Sequence, residues 1–373
     1  MTAPLVARLQ SALDNATDLP SRAALSVQIA CYLARVGEFD SAERLRIELR
    51  KEFGDGRHPA ISMRIMCLEA LILYFKDLDP KARDRLARAN LLAVACKEES
   101  LVALTFAWLS HIDFNLGHYG AMSTDIKHCL AAIAADDGNA LCRVSLVLGD
   151  AFAYAMQEES GRRWYEQARV IANNLGDQAA IGAITYNRAA LHVANARVRR
   201  LSSPIQPAEI NMLDAEVRSA VNYQHVARLK SLEHLLGSAS IGVLMLREKY
   251  EDALMAIQTL ISTSAVPEQS AALALLFADA AVSLSRTGQA TLAVEKAAAI
   301  AEFPVATFAA DDRAILLHSL SEVVALAEIE RSAYRDQRDR ALHEHQDTIA
   351  ALRLLLEPYV LGPTRHQQST VST

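Results

Sequence analysis

The residues that could do chemistry are few and scattered. Three or four converging ligands hold a typical zinc ion. The tripeptide His343-Glu344-His345 places its two imidazoles about 200° apart on a helix, so they cannot hold one ion together. The sequence therefore predicts no metal and no cofactor, although one region, around a predicted turn and the helix after it, is crowded with ligand types: His111, Asp113, His118, His128 and Cys129.

Sequence motifs for catalysis are missing as well. The chain has no glycine-rich phosphate loop, no G-x-S-x-G elbow and no H-E-x-x-H motif. Acidic residues are common, but no pair stands out as a general acid and base. We therefore expect a protein that is not an enzyme.

Composition narrows the class of partner. The 373 residues carry a formal net charge of −6, whereas nucleic-acid-binding domains usually have a basic surplus on one face. The densest basic cluster, Arg197 with Arg199 and Arg200, lies at a predicted helix end, where cations are favoured. We expect no nucleic-acid partner.

The expected compartment is the cytoplasm. Five cysteines occur, an odd number without C-x-x-C spacing, which is typical of a reducing compartment. No basic segment followed by an apolar region marks the N-terminus as a signal peptide. The longest apolar stretch, 271–282, is interrupted by Asp279 and is too short to span a bilayer, so no membrane association is expected.

The stretch 146–177, LVLGDAFAYAMQEESGRRWYEQARVIANNLGD, shows how the chain is organised. Its apolar residues recur at spacings of three and four, which is typical of helices with one buried face. Gly149 and Ala168 are small enough to let two helix backbones approach, and Phe152 and Tyr165 supply bulk. The stretch therefore predicts two helices that fold back on each other.

The same pattern recurs along the chain. Successive predicted turns are separated by 40, 40, 39 and 40 residues, then by 52, then by 40. The long interval contains the loop-like segment 201–207. The turns fall near Gly37, Asp77, Gly117, Met156, Ala196, Glu248 and Gly288.

An aromatic residue follows several of these turns, as at Phe39, Tyr119 and Tyr250, and alanine follows three positions later at Ala42 and Ala253. Over residues 22–302 the pattern resembles the tetratricopeptide (TPR) repeat family, with units longer than the usual length of about 34 residues. It is similar to the lengthened arrays of bacterial regulatory and sensor proteins. The resemblance implies an all-α fold, an α-solenoid of about seven to eight antiparallel helix hairpins with a long C-terminal helix.

Four segments follow from this interpretation. We expect an N-terminal capping helix in 1–20, the repeat array in 21–308, long C-terminal helices in 309–361 and a disordered tail in 362–373. Within the array, helices are expected at 208–222 and at 226–247.

The C-terminal helix has two possible roles. Its apolar residues Leu342, Ile349 and Leu356 repeat every seven positions, with Leu352 between the last two. Such a seam is typical of a short coiled coil. It predicts either a homodimer or a helix that caps the array by packing on its own chain.

The resemblance also implies a binding surface in the concave groove of the array. Small and apolar residues with sparse charges there suit a partner helix or an extended peptide. The leading hypothesis is a scaffold that binds a protein or peptide partner, and the alternative is a bacterial signalling or regulatory sensor for a peptide or small ligand. The groove residues implied are Arg35, His111, Asn115, Arg143, Asp150, Tyr186, Asp279 and Arg286.

Overall fold

The structure, a computed structural model, describes residues 3–134, 137–231, 233–263 and 266–362. Within these ranges it contains seventeen α-helices and no β-strand, as the sequence predicts. The predicted tail lies outside the described residues from position 363 onward. The helices are α1 (Pro4–Asn15), α2 (Leu19–Val36), α3 (Phe39–Phe53), α4 (Pro59–Asp77), α5 (Lys81–Cys96), α6 (Glu99–Asn115), α7 (Tyr119–Ala132), α8 (Gly138–Tyr154), α9 (Glu158–Leu175), α10 (Gln178–Arg200), α11 (Pro207–Ala227), α12 (Glu233–Leu246), α13 (Tyr250–Thr263), α14 (Ala271–Arg286), α15 (Ala290–Ala299), α16 (Ala310–Ser321) and α17 (Glu328–Leu356).

The helix starts reproduce the spacing seen in the sequence. Helices α2, α4, α6, α8 and α10 begin at Leu19, Pro59, Glu99, Gly138 and Gln178, at intervals of 40, 40, 39 and 40 residues. Helices α2, α4, α6 and α8 each pack against the helix that follows. Turns this short join antiparallel helices, so α2–α9 form four hairpins.

The turn after α2 shows how one of these hairpins is closed. Asp18 begins α2 by accepting a hydrogen bond from the Ser21 N–H at 2.8 Å, the usual role of an N-cap aspartate. Gly37 ends it with φ of 85°, a left-handed conformation that glycine adopts without strain. A Cβ at Gly37 would also lie 2.5 Å from the backbone nitrogen of Ser231.

Helices α8 and α9 approach each other closely, as predicted. A Cβ added to Gly149 would lie 2.5 Å from the ring of Tyr165, so only glycine fits without moving that ring. Gly161 gives a second close approach, where a Cβ would lie 3.3 Å from the Gly149 carbonyl oxygen. The sequence predicts Ala168 as the second small residue at which the two helix backbones approach, and it does not single out Gly161.

Contacts divide the chain into two compact units. Unit 1 comprises Met1–Thr185, Tyr223–Leu232 and Leu352–Thr373, and unit 2 comprises Tyr186–Asn222 and Glu233–Ala351. The division cuts through α10, α11 and α17, so it follows none of the four predicted segments. Those segments stay a prediction.

Unit 1 closes on itself. Helix α1, predicted as an N-terminal cap, packs against α2. The backbone N–H of Leu5 also donates to the carbonyl oxygen of Gly176 at 3.2 Å, and that of Lys230 donates to Val36 at 2.8 Å. The beginning of the unit therefore contacts residues that lie roughly 170 to 195 positions further along the chain, and its early and late helices enclose a common space.

Unit 2 has a core rich in alanine. Helix α14 packs against α13, α15 and α16. Its fully buried Ala278 and Ala281 belong to the same cluster as Leu316 and Leu320 of α16. Small side chains on α14 allow close helix contacts without large cavities. Helix α17, with 29 residues, is the predicted long C-terminal helix.

Two predicted boundaries are wrong. A turn was placed near Ala196, but Ala196 is buried inside α10, which continues to Arg200 because no glycine or proline occurs before Pro204. The helix expected at 226–247 is also interrupted. Helix α11 runs to Ala227, beyond its predicted end, and Arg228 then adopts a left-handed φ of 54°, a conformation for which arginine gives no sequence signal.

Candidate functional site

Unit 1 contains a cavity of about 110 Å³ that is partly open to solvent. A single water needs only about 10–15 Å³ of such space, so the cavity can hold a larger group. Helices α1, α2, α4, α6 and α8 and the start of α10 supply its walls. The lining residues include Leu5, Arg35, Arg64, Trp108, Arg143 and Asp177.

An ion pair joins two walls of the cavity. Arg35 of α2 donates two hydrogen bonds to the carboxylate of Asp177, at 2.8 and 3.0 Å, and both side chains are largely buried. Asp177 also accepts a hydrogen bond from the Ala180 N–H at 2.9 Å, the contact of an N-cap residue at the start of α10. Burial raises the pKa of Asp177, but the charge and hydrogen bonds of Arg35 outweigh it, so the pKa lies below its ordinary value.

Arg143 of α8 has a different environment. Its residue surface is 6% exposed, and its guanidinium lies over the Trp108 ring, 3.8 Å from the centroid. It makes no hydrogen bond or ion pair with any residue that the structure describes. Burial, with a smaller contribution from the nearby charge of Arg35, lowers the pKa of Arg143 to about 10, so it remains charged at neutral pH.

Trp108 belongs to a cluster of aromatic rings beside the cavity. The Tyr74 hydroxyl and the His111 Nε2 are hydrogen-bonded at 3.2 Å, and the His111 ring packs edge-on against Tyr74 and Trp108. Burial first, and then the charges of Arg143 and Arg35, hold the pKa of His111 well below its ordinary value. The imidazole is therefore neutral, and it adds no positive charge to that of the arginines.

The thiols around the cavity are also neutral. Burial raises the pKa of Cys31, Cys67 and Cys142 to about 12 in each case. A thiolate is the nucleophilic form of cysteine, so these residues are poor nucleophiles at neutral pH. They contribute apolar wall and no negative charge.

Unit 2 contains a pocket of about 190 Å³ whose charges are balanced. Burial raises the pKa of Asp279, although Arg197 and Ser319 oppose the shift. Each of the three arginines that line this pocket contacts one carboxylate: Arg197–Asp279 at 2.6 Å, Arg200–Glu248 at 2.6 Å and Arg286–Glu322 at 2.7 Å.

The structure distributes the eight predicted groove residues over both units. It brings Arg35 and Arg143 to the cavity of unit 1, with His111 in the aromatic cluster next to it. Asp279 and Arg286 line the pocket of unit 2. The other three do not line either space: Asn115 is exposed and donates to the His111 carbonyl, Asp150 is buried and accepts from the Tyr165 hydroxyl, and Tyr186 is half-buried in a core cluster of unit 2.

Of the eight predicted groove residues, only Arg35 and Arg143 line the cavity, and sequence reasoning missed Trp108 and Arg64 in particular. Trp108 and Arg64 lie on first helices of hairpins, at α6 and α4, and both line it. Their position on those helices, which the resemblance assigns to the groove, was the available signal.

The residues of the predicted dimerisation seam pack within the fold of a single chain. Ile349, Leu352 and Leu356 are buried within one copy, and Leu342 packs partly buried against a core cluster of unit 2. This burial favours packing of the helix on its own chain, one of the two roles that the sequence leaves open. The homodimer stays a prediction.

The crowded set of metal-ligand types is dispersed by the fold. Asp113 pairs with Arg83 at 2.5 Å and with His118 at 3.2 Å, and the His128 ring packs against Phe106. In the part of the chain that the structure describes, no group of three or more histidine, cysteine or acidic residues is placed to hold a metal ion.

No helix within the described ranges is both long enough and apolar enough to cross a membrane. Comparison of the chain with family models, with curated proteins and with solved structures finds no match.

Proposed function

We propose that this chain is a non-enzymatic sensor that binds a small ligand or a short peptide in the cavity of unit 1. The observation that carries the proposal is Arg143, a buried cation without a hydrogen-bonding or ionic partner among the described residues, at the wall of a cavity large enough for a ligand. Buried charges in proteins are normally paired. A ligand would supply the missing partner.

Closure of unit 1 supports a small ligand over a long partner helix. The cavity is bounded by α1 on one side and by Asp177 on another, and Leu5 of α1 is hydrogen-bonded to Gly176. A helix in a groove needs a surface open at both ends. A compact ligand or the end of a peptide fits a cavity of this size.

Our proposal includes the arrangement that the resemblance implies, a TPR-like superhelix. Four hairpins with starts about 40 residues apart support it. Stacked repeats respond to a ligand by small changes at several interfaces, and Arg35 and Asp177 join helices from two different pairs. A ligand beside this ion pair would influence how α2 and the start of α10 are held together.

Thermal unfolding of the full chain tests the proposal. The probes are straight-chain carboxylates, alcohols and amines of four to ten carbons, together with tri- to pentapeptides. Binding at 100 times the dissociation constant stabilises a protein by about 2.7 kcal/mol, so at least one probe class should raise the melting temperature. Leu104→Trp, which fills the cavity from a half-buried position on its wall, should abolish that response. A panel without any effect, or an unchanged response in Leu104→Trp, would contradict the proposal.

A second function, a scaffold for a protein partner, is favoured by one surface feature. Near its C-terminal end, α5 exposes Leu91 and Val94, at 69% and 53%, next to the exposed Leu92. Contiguous exposed apolar residues often mark interaction sites. Cross-linking with Leu91→Glu as the matched variant tests it, because a partner bound here should be lost in the variant, and a partner retained at the same level would exclude this surface.

A further inference from the structure

The cavity of unit 1 has an excess of positive charge. Its charged lining residues are Arg35, Arg64, Arg143 and Asp177, three cations and one anion, which leaves a formal surplus of two positive charges. Arg35 and Asp177 already satisfy each other through two hydrogen bonds. The surplus therefore resides on Arg64 and Arg143.

Neither of these arginines has an acceptor among the residues that the structure describes; Arg143 is buried and Arg64 is half-buried. Within the described ranges, Arg64 and Arg143 make no hydrogen bond or ion pair. A guanidinium carries five N–H donors arranged to match a planar carboxylate. The indole of Trp108 contacts the face of Arg143, but it offers no acceptor to its N–H groups.

The other groups in the wall do not supply the missing negative charge. Burial raises the pKa of Tyr32 and of the Cys31, Cys67 and Cys142 thiols to about 12, so all four are neutral at physiological pH. The part of the chain that the structure describes therefore supplies no counter-ion for Arg64 and Arg143.

Most of the remaining wall is apolar. Leucine and valine side chains from four helices face the same space. Such an apolar surface favours a ligand whose body is apolar. The apolar wall consists of Leu5, Leu9, Val27, Leu71, Leu101 and Leu104.

We propose that the ligand of this cavity is an amphipathic carboxylate, with its anionic head on Arg143 and Arg64 and its apolar body between the leucine side chains of α1, α4 and α6. The inference rests on the proposed function, since it names the chemical class of ligand for the same cavity. A carboxylate satisfies the planar donors of a guanidinium through two oxygens. A neutral ligand of the same length leaves the buried cation unpaired, which disfavours its binding.

Isothermal titration calorimetry on the full chain tests the charge requirement. Three probes of equal length are compared at constant salt: octanoate, 1-octanol and octylammonium, with inorganic phosphate as a headgroup without an apolar body. We expect octanoate to bind at least about tenfold more tightly than octanol, as the loss of a charged hydrogen bond implies. Octylammonium and phosphate should not bind measurably.

Variants locate the binding site. Arg143→Met should weaken octanoate binding at least about tenfold and leave octanol binding unchanged, so that the preference for the anion disappears. Arg88→Met is the matched control, since Arg88 is an exposed arginine of α5 outside the cavity, and it should leave both affinities unchanged.

The outcomes separate the inference from the proposed function. If octanol binds as tightly as octanoate and Leu104→Trp abolishes both, the cavity binds ligands but does not select for charge, and only the inference is overturned. Phosphate binding without octanoate binding overturns the inference as well, because the apolar body then has no role. If none of these eight-carbon probes binds but another member of the thermal-unfolding panel does, only the inference is overturned. If no member of that panel binds, or if Leu104→Trp does not change binding, the proposed function fails together with the inference.

Discussion

The two units each contain a space lined by three arginines, and the two spaces differ in how those arginines are paired. In the pocket of unit 2, Arg197, Arg200 and Arg286 each contact a carboxylate. In the cavity of unit 1 only Arg35 does, and Arg143 remains unpaired in the described chain. A balanced set of ion pairs is consistent with a structural role, whereas a buried arginine without a described partner, such as Arg143, leaves part of its electrostatic stabilisation to a ligand.

The largest effect should come from breaking the buried pair of unit 1. Arg35→Met leaves the Asp177 carboxylate buried without its cation, which typically costs about 3–5 kcal/mol. Urea unfolding followed by circular dichroism measures this loss. Adding Asp177→Asn to Arg35→Met removes the stranded charge and should restore part of the stability. A loss below about 1 kcal/mol would show that the pair is weaker than a buried pair of this kind.

A somewhat smaller loss is expected in unit 2. Arg197→Met removes the cation beside Asp279, and we expect a cost of about 2–4 kcal/mol. The loss is limited because burial already raises the pKa of Asp279, so its carboxyl takes up a proton once Arg197 is gone. The same variant should therefore lose less stability at pH 5 than at pH 8. Equal losses at both pH values would rule out this explanation.

Acidification should destabilise the aromatic cluster beside the cavity. His111 has a pKa well below 6.5 in the folded protein, so its neutral form contributes stability above pH 6.5 that is lost as the pH falls below that value. The slope for one group is at most about 1.4 kcal/mol per pH unit. Melting temperatures between pH 7.5 and 5.5 should fall less steeply in His111→Gln than in the unaltered chain. Parallel curves would mean that His111 does not contribute.

The smallest expected effect is a gain in stability. Without ligand, Arg143→Met replaces an unpaired buried cation by an apolar side chain, so we expect unfolding to become harder by about 1 kcal/mol. The contact with Trp108 is worth about 0.5–2 kcal/mol and offsets part of the gain. If Arg143→Met is as damaging as Arg35→Met, then Arg143 is a structural residue and the contrast between the two spaces disappears.

Most of the fold could be predicted from local patterns. The interval of about 40 residues is visible in the sequence, because turns and apolar spacings are properties of neighbouring residues. Arg228 shows where this fails: it ends a helix region in a left-handed conformation without a glycine. The boundary near Ala196 failed for a related reason, since a regular interval does not itself stop an alanine-rich helix.

The candidate site was predictable only in part. Arg35 and Arg143 follow from their positions on the first helices of hairpins. Arg35 pairs with Asp177, which lies 142 positions further along the chain. This pairing depends on the closure of unit 1, and no local sequence pattern predicts that closure. The same closure determines that Trp108 and Arg64 face a common interior, so these residues could not be identified as a group from the sequence.

The hydrogen bond between Leu5 and Gly176 also bears on how this protein could have changed in evolution. Open arrays of helix pairs gain or lose a pair by duplication or deletion, since each pair contacts only its neighbours. In unit 1, Leu5 of helix α1 is hydrogen-bonded to Gly176, which follows the fourth hairpin. Adding one hairpin between them would separate these two residues. This hydrogen bond therefore constrains the number of hairpins in the unit, and we expect related chains to vary in side chains and loops more readily than in the number of hairpins.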